Sequence, residues 1–382
     1  MKIFLAFLQS KTDHPIAAYK FWQYYIKNGI EEAGDTWIED TRVDWAKGIV
    51  PKSKAGQSTW LADTWQKTIE FIKNDPPDFF LGYLYPEQVD EQAINEIKRM
   101  GIPCVNFFCD NVRLFRKLPD TFKVFNLNWV PEYKALSLYK KANAPYINLP
   151  MPMWVPPSKR SLPADELPQI TFIGSADTQR KMLFNNILNK DPDLPLTIYG
   201  AGWGDGISAA PNASPYSWFD KALYQATFIK NKGIAAYGRK LKQRNFNYEI
   251  SDLLKSRLKP SPDHDQYFEL TANSQITIGV NRYADFNYPL HRPNAYSRLR
   301  DIEAPMLGAC YLTEWTEGIE TLYDIDNEIL TYTDADSFLS RCEQLIRQPF
   351  LRATLRKNGQ HRALSSHSIP SSLQKIKERL FG

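Results

Sequence analysis

Apolar residues in this chain fall into two kinds of run: short continuous blocks, and stripes that recur every three or four positions. The block at residues 3–8 predicts a buried strand. From Pro15 onward, Ala17, Phe21, Tyr24, Tyr25 and Ile30 recur at helical spacing. A second stripe, Leu61, Trp65, Ile69 and Ile72, predicts a helix over 58–73, which Pro76 and Pro77 terminate. A block at 79–84 predicts the next strand. Helix 88–100, strand 103–108, a strand at 123–126, helix 132–141 and strand 146–149 follow. Strands alternating with helices in this way predict an α/β fold with a parallel, doubly wound sheet. Ligands of such sheets bind beyond the carboxyl ends of the strands.

Prolines at 150, 152, 156 and 157 interrupt the pattern and read as a semi-rigid connector. A second α/β run starts after them. Strand 169–173 enters a Gly174-Ser175 turn, helix 178–189 follows, and then strand 196–200. The pattern lapses over about 205–260 and resumes at strand 274–280. Next come a short helix ending at Gly308, a strand to Thr313, a strand at 328–331, helices at 334–346 and 350–365, and a charged helix from 371. The domains expected are therefore 1–152 and 153–370, with an insertion at about 205–260 in the second.

Composition narrows the class. With 382 residues, 43% of them hydrophobic, there is enough chain for two cores. The net charge of +4 is too mild to imply nucleic acid as a partner. Cys104, Cys109, Cys310 and Cys342 show no metal-ligand spacing, and read as buried free thiols in a reducing compartment. The apolar start is too short for a signal peptide or a membrane span, so a cytoplasmic protein is expected.

Candidate chemistry gathers at strand ends. The helix near 298–308 carries Arg298, Arg300, Asp301 and Glu303, and follows a loop containing Asn281, Arg282, His291, Arg292 and Asn294. A helix start with arginines beside it suits an anion. Glu303 is placed to accept from a pair of sugar hydroxyls, although surface charges that are merely solvated would look the same. Gly174 would let backbone approach a ligand, and Ser175 and Arg180 could contact phosphate. Asp110, after strand 103–108, is either a general base toward an acceptor hydroxyl or a helix cap. His14 is a second possible base or phosphate contact, or an exposed loop residue. Residues 221–259 hold ten basic residues against two acids. They could meet an anionic lipid-linked acceptor or a peripheral membrane surface, form a solvated hairpin, or make an oligomer contact. Single-stranded nucleic acid is the weakest of these readings.

The run from Arg300 through Glu303, Pro305 and Gly308 to Leu312-Thr313-Glu314, with Gly318-Ile319-Glu320 and Asn327-Glu328-Ile329 after it, resembles the C-terminal signature of group-1 glycosyltransferases. The CgeB-like, spore-coat-related branch is the most similar. Its Tyr-Gly-x-Gly-Trp is matched by Tyr199-Gly200-Ala201-Gly202-Trp203. The resemblance implies two Rossmann-like domains facing a cleft (GT-B), with the ribose of a nucleotide sugar on Glu303 and Gly200 near the donor. Trp203 would either stack on the base or pack. By analogy of fold, the helix at 371–382 would pack back on the first domain. The first strand lacks the Gly-Gly loop of many relatives, which leaves the acceptor side open.

The expected function is transfer of a sugar from a UDP- or GDP-linked donor to a hydroxyl of a glycan, lipid-linked or protein acceptor. No cofactor and no metal are expected, because Asp324 and Asp326 read as a turn. A nucleotide-sugar epimerase of the same architecture and a non-catalytic carbohydrate-binding or surface-assembly protein are the alternatives.

Overall fold

The structure, a computed structural model, describes residues 1–8, 18–50, 53–203, 233–244, 248–282 and 295–382, with single positions at 222, 225, 226, 228 and 229. It divides into two compact units: Met1–Trp154 with Ser366–Gly382, and Val155–Ser365.

In the first unit the strands are β1 Lys2–Ala6, β2 Thr36–Ile38, β3 Phe79–Gly82, β4 Cys104–Phe107, β5 Leu127–Val130 and β6 Tyr146–Asn148. They pair in the order β2-β1-β3-β4-β5-β6, every neighbour parallel. β3, β4 and β5 are buried at every position; β3 therefore reads as a continuous apolar block, while β4 and β5 each carry one buried asparagine, Asn106 and Asn128. Two expectations need correction. The strand expected at 123–126 begins only at Leu127, because Asp120–Val124 forms a 3-10 turn that sinks Phe122 into the core. The edge strand β2 was not foreseen; three residues carry no readable period.

The helix Ile369–Phe381 belongs to this unit and packs on the helix Ala18–Glu32. Gly29 makes the close approach possible, since a Cβ there would run into the Ile369 side chain. Asp35 ties the junction: it pairs with Lys377 and, at 2.7 Å, with the amino group of Met1.

The second unit contains β7 Leu167–Ile173, β8 Leu196–Tyr199, β9 Leu258–Lys259, β10 Ser274–Gly279, β11 Tyr311–Glu314 and β12 Leu330–Tyr332. Their order is β12-β11-β10-β7-β8-β9, again all parallel. Residues 250–259, expected within the insertion, are part of this core instead. Ile250 and Leu254 are buried in it, and β9 extends the sheet beside β8. The charge of the segment hid two apolar anchors. Two buried arginines fix the long helix Pro349–Ser366. Both reach Glu166, and Arg356 also donates to the carbonyls of Ala272, Ser274 and Gly308. Two six-stranded parallel sheets with flanking helices are the α/β class expected from the sequence.

Candidate active site

In the second unit the carboxyl ends of β7 and β8 are joined through their backbones. Gly174 N–H donates to Tyr199 O, and Ala176 N–H to Ala201 O, both at 2.8 Å. Gly200 has φ +146°, and any Cβ there would collide with the Gly174 carbonyl, so only glycine lets the two turns touch. The Trp203 indole N–H donates to the same carbonyl at 2.8 Å. Its ring is buried against Phe172 and Phe184. Of the two roles open to Trp203, this is packing: a ring enclosed on the core side has no face to offer a base, which corrects its assignment to the donor.

Asp177 caps the helix Thr178–Lys190 by accepting from Arg180 N–H at 2.9 Å. That cap directs the Arg180 side chain back over the turn, where it donates to Ser175 O at 2.7 Å and lies 5.3 Å from the Phe172 ring. Burial pulls the Arg180 guanidinium below its usual basicity. Asp177 opposes the shift, and the nearby charges of Arg298 and Arg300 deepen it. Three arginines from two separate segments therefore share one region beside the Gly174-Ser175 turn, with Ser175 exposed.

The helix Arg300–Met306 is only seven residues long, and a buried carboxylate holds its start. Asp301 accepts from the Tyr311 hydroxyl (2.8 Å), Thr313 Oγ1 (2.9 Å), Asn281 Nδ2 (3.0 Å) and Arg298 N–H (3.2 Å). Its pKa still rises, because burial outweighs these donors. Asn281, expected to touch the nucleotide, is 1% exposed, and its amide also reaches Thr313 Oγ1 and Glu314 O. It is a crosslink between β10, β11 and the helix, and that corrects its assignment. Arg282, a further expected phosphate contact, is paired instead with Glu314 at 2.6 Å, so its charge is matched locally. Burial raises the Glu314 pKa and Arg282 opposes the rise. Arg282 also lines a cavity of about 350 Å³ with Asn186, Tyr248 and Asp334.

Glu303 is 1% exposed and accepts a hydrogen bond from the Tyr267 hydroxyl. The Arg300 guanidinium lies 5.4 Å from the centre of the Tyr267 ring, and Arg298 lies 5.6 Å from that of Tyr296. Arg180, Arg298, Arg300 and Glu303 thus share one end of one sheet with the Gly174, Ser175 and Gly200 turns. Tyr267 was not singled out from the sequence, and Glu314 entered only as a member of the signature run, not as a partner of Arg282. Tyr267 sits in an ordinary helix context, with nothing in its spacing to mark it.

In the first unit Asp110 follows β4 at the start of a four-residue helix, Asn111–Leu114, but its carboxylate makes no capping hydrogen bond. The cap comes from Glu132, which accepts from Asn111 N–H (2.7 Å) and Val112 N–H (3.3 Å). Asp110 instead accepts from the Tyr85 hydroxyl at 3.2 Å and stands 3.7 Å from Arg113. The capping role weighed for Asp110 therefore belongs to Glu132. Burial pushes the Glu132 pKa up to about 8; hydrogen bonds from Asn111 oppose the shift, and the Asp110 charge adds to it. His14 and the loop residues His291, Arg292 and Asn294 lie outside the described residues.

A family model described as glycosyl transferase-like matches residues 179–378. Comparison with curated proteins found no match. Among solved structures, a glycosyltransferase from Rickettsia africae ESF-5 superposes with a TM-score of 0.58 at 12% identity. Anabaena HepE in complex with UDP-glucose gives 0.56 at 13%, and sucrose-phosphate synthase from Thermosynechococcus elongatus 0.56 at 12%. In each case the match covers 100% of this chain and 99% of the other. At such identities the likeness is one of fold.

Proposed function

Since the chain belongs to the glycosyl transferase-like family, we propose that it moves a sugar from a nucleoside-diphosphate sugar to an acceptor hydroxyl, with the donor held in the second unit. The observation that carries this reading is the convergence of Arg180, Arg298 and Arg300 beside the Gly174-Ser175 turn. Three guanidinium groups gathered in one region, two of them lowering the basicity of the buried Arg180, are costly unless an anion shares their charge. A diphosphate supplies it, and gains negative charge as its bond to the sugar breaks. Bidentate guanidinium contacts can carry that charge, and we therefore read the reaction as metal-independent. Glu303 is the candidate acceptor for ribose hydroxyls and Asp110 the candidate base for the acceptor hydroxyl. The Tyr199-Gly200-Ala201-Gly202-Trp203 run supports assignment to the CgeB-like branch.

HepE has been solved with UDP-glucose, which makes uridine diphosphate the first nucleotide to try. Four buried free cysteines suit a cytoplasmic setting. Among the described residues no helix is long and apolar enough to cross a membrane. The acceptor is read as a glycan, lipid-linked or protein hydroxyl. Of the basic stretch 221–259, residues 250–259 belong to the core, and the part before them, which includes the helix Ile234–Arg244, is the segment we assign to an anionic surface or a second subunit.

A thermal-shift panel of UDP, GDP, CMP, dTDP and their sugars, with and without EDTA, tests the proposal. One nucleotide should raise Tm whether or not EDTA is present, and Arg180→Ala should abolish the rise. No shift for any member of the panel would overturn the reading.

A further inference from the structure

Tyr267 joins two groups that the proposed donor site uses for different purposes. Its hydroxyl donates to Glu303 Oε2, and its ring lies under the Arg300 guanidinium. The residue comes from the helix His264–Asn273, outside the signature segment, and that helix is firmly placed. Asp263 caps it with a reciprocal capping box, Phe268 is buried one position on, and Ser274 Oγ donates to Leu270 O at its end. The phenol is thus delivered from a fixed element to a carboxylate on another.

A glutamate has three side-chain torsions, and a terminal carboxylate that rotates broadly. One hydroxyl fixed on Oε2 sets the plane of that carboxylate and the direction of its remaining lone pairs. A carboxylate recognises a vicinal diol only when that plane is right, because both hydroxyls must donate at once. The Tyr267 phenol stays protonated: burial raises its pKa, the Glu303 charge adds to the rise, and Arg300 opposes it. It is therefore a permanent donor toward Glu303. The aromatic ring separately favours a cation over its face, which holds Arg300 toward the arginine cluster.

We propose that Tyr267 is a positioning and specificity-determining residue of the donor site. Its hydroxyl orients Glu303 for the ribose diol, and its ring holds Arg300 for the diphosphate. This inference rests on the donor-site reading above and assigns the selection of ribose over deoxyribose to one phenol.

The two halves of the role separate by substitution. Tyr267→Phe keeps the ring and deletes the hydroxyl, while Tyr267→Leu removes both. Calorimetric titration of the full chain with UDP, dUDP, GDP and dGDP reads the outcome. The wild-type protein should favour the ribonucleotide of its preferred base. In Tyr267→Phe that preference should shrink by about fivefold, as loss of one hydrogen bond would give. It should shrink through weaker ribonucleotide binding alone, with deoxynucleotide affinity unchanged. In Tyr267→Leu the deoxynucleotide should weaken as well.

A wild-type preference that persists in Tyr267→Phe overturns the inference and leaves the donor site standing. So does an equal loss for both sugars, which is the mark of a merely structural residue. Wild-type protein that binds ribo- and deoxynucleotides alike removes the inference together with the Glu303 assignment. Protein that binds no nucleotide removes the donor-site reading itself.

Discussion

Two carboxylates that share a neighbourhood in the first unit have opposite characters. Asp110 is partly open and receives a phenol. Glu132 is enclosed and receives backbone amides. A glutamate whose folded pKa is about 8, against 4.5 ordinarily, keeps a proton that the unfolded chain releases between those values. The unfolded state binds fewer protons across that window, so stability is full below pH 4.5 and declines as pH rises toward 8. Denaturant titrations at pH 5 and pH 8 should differ by on the order of a few kcal/mol from this group, and Glu132→Gln should flatten the difference. An unchanged slope in that variant would mean that other groups set it. Asp110→Asn should lower turnover by roughly a hundredfold or more, as expected for a lost general base, with donor affinity unchanged in a binding titration. Turnover near wild type would leave Asp110 without that role.

Elements were legible where burial was complete and obscure where it was bought with side-chain hydrogen bonds. A fully buried strand such as Phe79–Gly82 stands out because every position is apolar or glycine. The Arg-Glu signature was readable because its charges cluster in sequence. What the sequence concealed was their partners. Asn281 read as ligand-facing, yet it is buried against Asp301 and Thr313, and Asp301 in turn is held by Tyr311 and Thr313, residues that pass as ordinary strand members. Arg282 likewise gave no sign that Glu314 would meet it 32 positions later. The Gly174 and Gly200 turns were marked as glycines but not as a contact. Gly200→Ala combines a left-side φ with a clash against Gly174 O, so we expect it to cost about 1–3 kcal/mol in stability. It should also weaken nucleotide binding, because the Ser175 backbone moves with the turn. Chemical denaturation together with nucleotide titration checks both, and a variant with unaltered melting would show that the turns need not touch.

For the molecule as a whole, the decisive fact is that the first unit is built from two segments that flank the second. The helix Ile369–Phe381 covers Ala18–Glu32, with Gly29 against Ile369 and Asp35 holding Lys377 and the amino group of Met1. Deleting residues 367–382 removes Ile369, Leu373 and Ile376, which are buried in the contact, and should uncover the side of Ala18–Glu32 that they cover. The first unit should then melt earlier or expose hydrophobic surface to a dye, while Val155–Ser365 keeps its own transition. Calorimetry with two resolved transitions, only one of them shifted, is the expected record; equal shifts in both would contradict it.

The same arrangement has a consequence for biosynthesis. A ribosome releases the second unit as one uninterrupted segment, whereas the first unit is complete only when Ser366–Gly382, made after that segment, joins Met1–Trp154. The second unit can therefore close before the first has all its residues. The first 154 residues emerge early, with the surface meant for the final helix uncovered throughout elongation. Nascent chains stalled before residue 366 should therefore bind chaperones through their oldest residues, and release should follow completion of the last helix.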